Sequence, residues 1–266
     1  MHKGFLNQKF YDPLFLARKL LLYSGSACVL SRGDIVLACY PKTGSTWIRY
    51  FLLHLLYGET GKDERASFDE LNKVMPEFGH PSIFRAWPFA GRPRLIKTHR
   101  RYNFLFRGCP TVLLVRDPRD IMVSYYHYAC ARKDFGFCGS FEDMLYDTVM
   151  GLEAFFRHYK SWKGIAQRIL KYECFKASPL STFKEFSAFC GVEATDVEIC
   201  QAVERSSLKN MRKAQESSSE GFKRNFEGGF AFARKGTVGQ WKEHFDDRAI
   251  TLYQQLKRKY CFDLYD

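Results

Sequence analysis

One short turn of this chain gathers a lysine, a glycine and three hydroxyls: Lys42, Thr43, Gly44, Ser45 and Thr46. A lysine brings a mobile positive charge, and hydroxyls and turn amides donate hydrogen bonds to oxyanions, so the cluster suits a phosphate-like group. Further on, Lys97 and His99 stand two residues apart, Arg116 precedes Ser124, and Tyr172 follows later. A neutral imidazole can take a proton from an attacking hydroxyl. An arginine fork matches the geometry of phosphate oxygens. Anion binding is the chemistry these residues suggest, while a lone histidine near a strand end is by itself more often structural.

Each of these groups sits at the end of an apolar run. Ile35 to Cys39 reads as a buried strand, and Trp47 to Tyr57, nearly all apolar, as a mostly buried helix. Arg94 to Lys97 is a second strand, Thr111 to Val115 a third, and Arg168 to Glu173 a fourth. Strands alternating with helices predict one α/β domain over residues 1–266, with a mostly parallel central sheet flanked by helices. Ligands bind at the strand ends of such sheets.

The remaining segments are less regular. Pro13 to Tyr23 reads as a short helix ended by Ser24-Gly25-Ser26, packed on the core rather than lying on a membrane. Gly58 to Gly91 is polar, proline-punctuated and irregular. A helix runs from Ile121 to about Ala131, and Ser140 caps one long helix from Phe141 to Trp162 with an apolar stripe at 141, 145, 149, 152, 156 and 159. Helices follow over Pro179–Phe189, from Thr195 to Glu204 and from Asp247 to Tyr260. Residues 215–233, rich in serine, glycine and charge, predict a linker or a lid. No internal repeat is visible.

Forty-one basic against 29 acidic residues give a net charge of +12, which favours a polyanionic ligand. No lysine/arginine run dominates, so a nucleotide pocket accounts for the charge without a nucleic-acid partner. Nine cysteines without a C-x-x-C pair argue against zinc and a disulfide framework; Cys39, Cys130, Cys190 and Cys200 read as buried thiols. No apolar run is long enough for a membrane span, and Arg18 and Lys19 spoil a signal peptide. The expectation is a cytoplasmic protein. Arg32-Gly33-Asp34 reads as a turn.

The common nucleotide loop places its lysine after the second glycine; here Lys42 precedes the only glycine. Tyr40-Pro41-Lys42-Thr43-Gly44-Ser45-Thr46-Trp47 instead resembles the 5′-phosphosulfate loop of the soluble sulfotransferases, YPKSGTTW. Arg116-Asp117-Pro118-Arg119-Asp120-Ile121-Met122-Val123-Ser124-Tyr125-Tyr126 resembles that family's second signature, and Arg234-Lys235-Gly236-Thr237-Val238-Gly239-Gln240-Trp241-Lys242 its third. Leu95-Ile96-Lys97-Thr98-His99 resembles the L-[IL]-K-[ST]-H that carries the family's general base. The pattern spans residues 35 to about 245, and three motifs in order are specific where one alone is weak.

The resemblance implies transfer of the sulfuryl group of 3′-phosphoadenosine 5′-phosphosulfate (PAPS) to a hydroxyl or amine of a small molecule. The nucleotide product is 3′-phosphoadenosine 5′-phosphate (PAP), and no metal is needed. It assigns His99 as base, Lys42 to the leaving phosphate and Lys97 to electrostatic support; residues 43–47 join Lys42 at the 5′ end. Arg116, Ser124, Arg234, Lys235 and Gly236 fall to the 3′-phosphate, and Tyr172, with Ser206 and Leu208, to the adenine. His54 reads as structural. Asp117 replaces the commoner asparagine and Gln240 an aspartate, and the usual K-x-x-x-T-V-x-x-x-E dimer motif is missing, leaving the oligomeric state open. The segment after Trp241 is closer to bacterial members.

For the acceptor pocket the candidates are Phe84, Trp87, Phe89, Tyr102, Phe135 and Phe137, with ordinary core aromatics as the other reading. The competing activity is a nucleotide kinase, in which Asp117 at the end of the third strand holds Mg²⁺. The lysine order counts against it.

Overall fold

The computed structural model describes residues 13–133, 135, 137–218, 226 and 236–266. Four parallel strands form its sheet in the order β2-β1-β3-β4. They are β1 (Ile35–Cys39), β2 (Leu95–Thr98), β3 (Thr111–Val115) and β4 (Arg168–Lys171). Val36 lies opposite both Ile96 and Thr111, which places β1 in the middle. The chain leaves β1 to pair first on one side and then on the other, so a crevice opens at the strands' carboxyl ends.

All five residues of β1 and of β3 are buried, as continuous apolar strands require when helices cover both faces. Alternation divides the core in two. Ile35, Leu37 and Cys39 face α2 (Ser45–Glu59), while Val36 and Ala38 face the layer that contains Phe106 and Trp162. α2 is buried from Ile48 through Tyr57, including Arg49, whose guanidinium donates to the Met75 carbonyl at 2.6 Å. His54 is buried against the Tyr50 ring, in keeping with its structural reading.

The first helix is longer than the sequence suggested. α1 (Pro13–Val29) runs through Ser24-Gly25-Ser26 because the Ser26 hydroxyl donates to the Leu22 carbonyl and accepts from the Gly79 amide. The segment after α2 holds α3 (Phe68–Val74), capped by Ser67, and short 3₁₀ turns at Asp63–Arg65 and Pro81–Phe84. α4 is Pro118–Ala131. The expected long helix from Phe141 is two helices, α5 (Phe141–Tyr146) and α6 (Leu152–Trp162). Between them the Asp147 carboxylate accepts from the amides of Val149 and Met150. A Cβ at Gly151 would meet the Asp147 carbonyl at 2.4 Å, so this close approach needs glycine.

β4 stops at Lys171, and Tyr172 opens α7 (Tyr172–Ala177) rather than continuing the strand. Then come α8 (Pro179–Phe189), α9 (Asp196–Arg205) with the Thr195–Glu198 capping box, α10 (Leu208–Glu216) and α11 (Asp247–Lys259). The suspected lid at 215–233 falls mostly outside the described residues. Within it, Phe226 bridges Arg132 through the backbone and lies against the Tyr128 ring.

All nine cysteines are free. Cys130 and Cys200, expected inside, are exposed, because they fall on the solvent side of α4 and α9. Asp34 of the Arg-Gly-Asp turn is buried in an ion pair with Arg94 at 2.8 Å. Among the described residues no helix is long and apolar enough to cross a membrane.

Trp162 closes the second core layer. It is fully buried, its indole N–H donates to the Arg100 carbonyl at 2.8 Å, and Tyr102 and Phe106 pack on it with ring centres 5.3 Å away. Trp162→Ala is expected to lower unfolding free energy by about 3–5 kcal/mol. Urea denaturation monitored by far-UV circular dichroism checks this; a loss under about 1 kcal/mol contradicts the packing account.

Candidate active site

The turn between β1 and α2 has an unusual backbone. Lys42 has φ 71° and Gly44 φ 95°. The left-handed lysine costs about 1 kcal/mol, and glycine is required at 44, where a Cβ would stand 2.6 Å from the Tyr172 ring. Gly44 caps α2 without a side-chain hydrogen bond, so first-turn amides are left for an anion that the helix dipole also favours. The Thr43 hydroxyl is not on the cavity wall: it is buried and donates to the Tyr40 carbonyl at 2.6 Å, shaping the turn from behind.

A cavity of about 570 Å³ lies at the carboxyl ends of the strands. Lys42, Gly44, Ser45, Thr46 and Trp47 line it from the loop, and Lys97 and His99 from the end of β2. Of the other predicted residues, Arg116, Ser124, Tyr172, Leu208 and Gly236 also stand on its wall. Lys42 Nζ sits 4.2 Å from the centre of the Tyr128 ring, a cation–π contact that steadies a long side chain at the mouth.

His99 is half-buried, and its Nδ1 stands 2.7 Å from the Cys39 carbonyl oxygen. A carbonyl can only accept, so Nδ1 carries the proton and Nε2 keeps its lone pair. Burial and then the Lys97 ammonium hold the His99 pKa down to about 4, against opposing influences of Glu77 and the Cys39 carbonyl. The ring is therefore a neutral proton acceptor at neutral pH.

Glu77, which no sequence signal marked, also lines the cavity. Its carboxylate lies 2.7 Å from Lys97 Nζ. Burial alone would raise its pKa, but Lys97, with help from His99 and Arg49, outweighs burial and brings it to about 2. Backbone pairing fixes it there: the Phe78 amide donates to the Lys97 carbonyl at 2.8 Å, and the Lys97 amide to the Pro76 carbonyl at 2.9 Å. Sequence gave no hint because the pairing is a single bridge at the edge of the sheet.

Arg116 follows β3 and is held on several sides. It donates to the carbonyls of Lys42 at 3.3 Å and Thr237 at 3.0 Å, and its guanidinium carbon is 4.6 Å from the centre of the Tyr172 ring. Its buried Nε has no hydrogen-bond partner among the described residues. An orphaned donor of this kind at a cavity wall fits an absent anion. Asp120 accepts from the amides of Gly239 at 2.7 Å and Trp241 at 3.0 Å, fastening the third motif to α4. Tyr172 donates to the Gly236 carbonyl at 3.3 Å. Arg234 and Lys235 lie outside the described residues.

Some candidates stand elsewhere. Ser206 is fully buried and its hydroxyl donates to the Val203 carbonyl; its neighbour Ser207 lines the cavity instead. Of the six aromatic candidates only Phe135 is on the wall. Trp87 and Phe89 pack with Tyr57 in the first core layer, Tyr102 on Trp162, and Phe137 near Ala129 and Met144, while Phe84 is half exposed beside α1. These are the core aromatics of the alternative reading, with Phe84 a surface ring. Tyr125, Tyr128, Arg132 and Phe135 form the part of the wall that sequence left out or only partly named.

Asp117 is not available to a cation. Its carboxylate caps α4 through the Arg119 amide and pairs with the Arg119 guanidinium at 2.8 Å, whose plane rests 3.9 Å from the Trp241 ring centre. That answers the kinase reading from within the site.

Residues 32–260 match the model of the sulfotransferase domain, and the chain belongs to that family. Sulfotransferase 6B1 of Danio rerio is 28% identical over 226 residues, 80% of this chain and 73% of that protein. Cytosolic sulfotransferase 5 of Arabidopsis thaliana is also 28% identical, over 240 residues, 79% of this chain and 74% of that protein. Among solved structures, retinol dehydratase in complex with androsterone and inactive cofactor PAP superposes with a TM-score of 0.71 at 19% identity, covering 93% of this chain and 85% of that one. Mouse sulfotransferase SULT7A1 complexed with PAP gives 0.64 at 20% identity, over 91% and 89%. The protein is a sulfotransferase with an α/β fold.

Proposed function

We propose that this enzyme uses PAPS as donor and sulfates a hydroxyl or amine of a small molecule in the cytoplasm, by direct in-line displacement without a metal. The observation that carries the reading is a neutral His99, with Nε2 unprotonated, on one cavity with Lys42 and the uncapped N-terminus of α2. When bound, the donor supplies a sulfuryl group on a phosphate leaving group. His99 takes the acceptor's proton as its oxygen or nitrogen bonds to sulfur and the sulfur–oxygen bond to the 5′-phosphate breaks. Lys42 and the amides of residues 44–46 meet the charge that builds on that phosphate, and Lys97 adds positive potential near sulfur. Arg116 and Ser124, with Arg234, Lys235 and Gly236, hold the 3′-phosphate, while Tyr172 and Leu208 flank the base. Binding of PAP by the related structures and the orphaned Arg116 Nε support the donor.

A labelled-donor assay against a panel of phenols, alcohols and amines tests the activity. Label transfer that survives EDTA is expected. Transfer from ATP in place of PAPS, or activity abolished by chelation, contradicts the proposal.

Glu77 and Lys97 pull the base in opposite directions, which gives a sharper check. Lys97→Met is expected to raise the His99 pKa from about 4 towards its usual value, and Glu77→Gln to lower it. Arg49 also lowers it in both variants, from the helix packed behind. The acid limb of kcat/KM against pH, or a histidine proton titration by NMR, should show the two shifts with opposite sign. Shifts of the same sign exclude this electrostatic arrangement.

A further inference from the structure

α1 packs inward through Tyr23 and Ser26, yet leucines of its N-terminal half are exposed. Leu16, Leu20 and Leu21 are 51%, 68% and 73% exposed, and Arg18 lies exposed among them. Scattered leucines on a surface need no explanation, but three within two turns of one helix form a patch. Phe104, 78% exposed, follows Asn103 of a basic cleft. Arg100 joins α1 to that cleft: its guanidinium stacks 3.9 Å from the Tyr23 ring centre of α1, and it also lines the shallow cleft, of about 540 Å³, with Arg101, Arg157 and Lys160. The carboxylate beside the cleft, Glu153, pairs with Arg157 at 3.0 Å and with Lys259 at 2.7 Å, leaving the balance strongly positive.

We propose that this face docks the protein on an anionic lipid bilayer, with α1 lying flat. Leucines alone suit any apolar partner, and the cleft alone suits any polyanion. A bilayer with acidic headgroups supplies both: Leu16, Leu20, Leu21 and Phe104 enter the acyl boundary, and Arg100, Arg101 and Lys160, joined to α1 through Arg100 on Tyr23, meet headgroup phosphates. The helix does not span, in keeping with its length and the absence of any candidate span among the described residues.

Flotation with phosphatidylcholine vesicles, with and without phosphatidylglycerol, tests the surface without any turnover. Wild type is expected to float with the acidic vesicles and to be released by salt. Leu20→Gln/Leu21→Gln should weaken binding about tenfold or more, and Arg101→Glu/Lys160→Glu by at least about fivefold per residue. Phe104→Ser, away from α1, should weaken it independently, which keeps the test valid if the helix variant unfolds. Equal flotation with and without phosphatidylglycerol overturns the proposal, as does wild-type binding by the leucine and Phe104 variants. If the leucine variant turns an oligomer into a monomer, the face belongs to a second copy and the proposal fails.

Discussion

Replacing His99 with alanine is expected to lower turnover by about 10²–10⁴-fold while leaving PAP affinity close to wild type. In the proposed mechanism the imidazole lies on the acceptor side of the chemistry, so its removal takes away a proton acceptor and no phosphate ligand. The loss should be smallest for an acidic phenol, which gives up its proton unaided, and largest for a simple alcohol. Lys42→Ala should also collapse turnover, but through the leaving phosphate, and hence with little dependence on acceptor pKa. The measurement is kcat for both variants against acceptors of graded pKa. Wild-type turnover of an alcohol by the His99→Ala enzyme eliminates the base assignment.

Arg116→Ala is expected to weaken PAP by roughly 10–100-fold while weakening adenosine 5′-monophosphate far less, the difference reporting a charge-assisted bond of about 1.5–3 kcal/mol to the 3′-phosphate. Arg116 also supports the backbone at Lys42 and Thr237, so some loss common to both nucleotides comes from the shape of the loop. Arg116→Lys separates the two effects. It keeps a charge but loses the fork, and should recover part of the PAP-specific loss. Isothermal titration with both nucleotides gives the comparison; equal weakening of the two removes Arg116 from the 3′ site.

Much of this architecture was legible because buried parallel strands advertise themselves. Ile35–Cys39 and Thr111–Val115 are unbroken apolar runs, and the loop chemistry follows directly after them. What was hidden depended on partners remote in sequence. The stripe from Phe141 to Trp162 continues through Val149, yet Val149 is 54% exposed, because Asp147 and Gly151 turn the chain there. Those two residues were the available signal, outweighed by periodicity. Ser24-Gly25-Ser26 looks like a helix end until Ser26 is seen bonded to Gly79. Glu77 acquires meaning only when its segment pairs with Lys97. Aromatic residues were the poorest guide, since Trp87 and Phe89 serve the core as well as they would serve a pocket.

The contact between His99 Nδ1 and the Cys39 carbonyl has a consequence for anyone altering this enzyme. The group that selects the reactive tautomer is main chain, so no substitution at position 39 deletes it. A library that randomises every side chain around the cavity can shift the imidazole's pKa, yet it leaves the proton's address unchanged. Only a slip of β1 against β2, which pair Ala38 with Thr98, would move that oxygen, and such a slip would send the inward residues of β1 to the opposite layer. The tautomer of His99, and with it the proposed proton acceptor, is thus insured by the same register that builds the core.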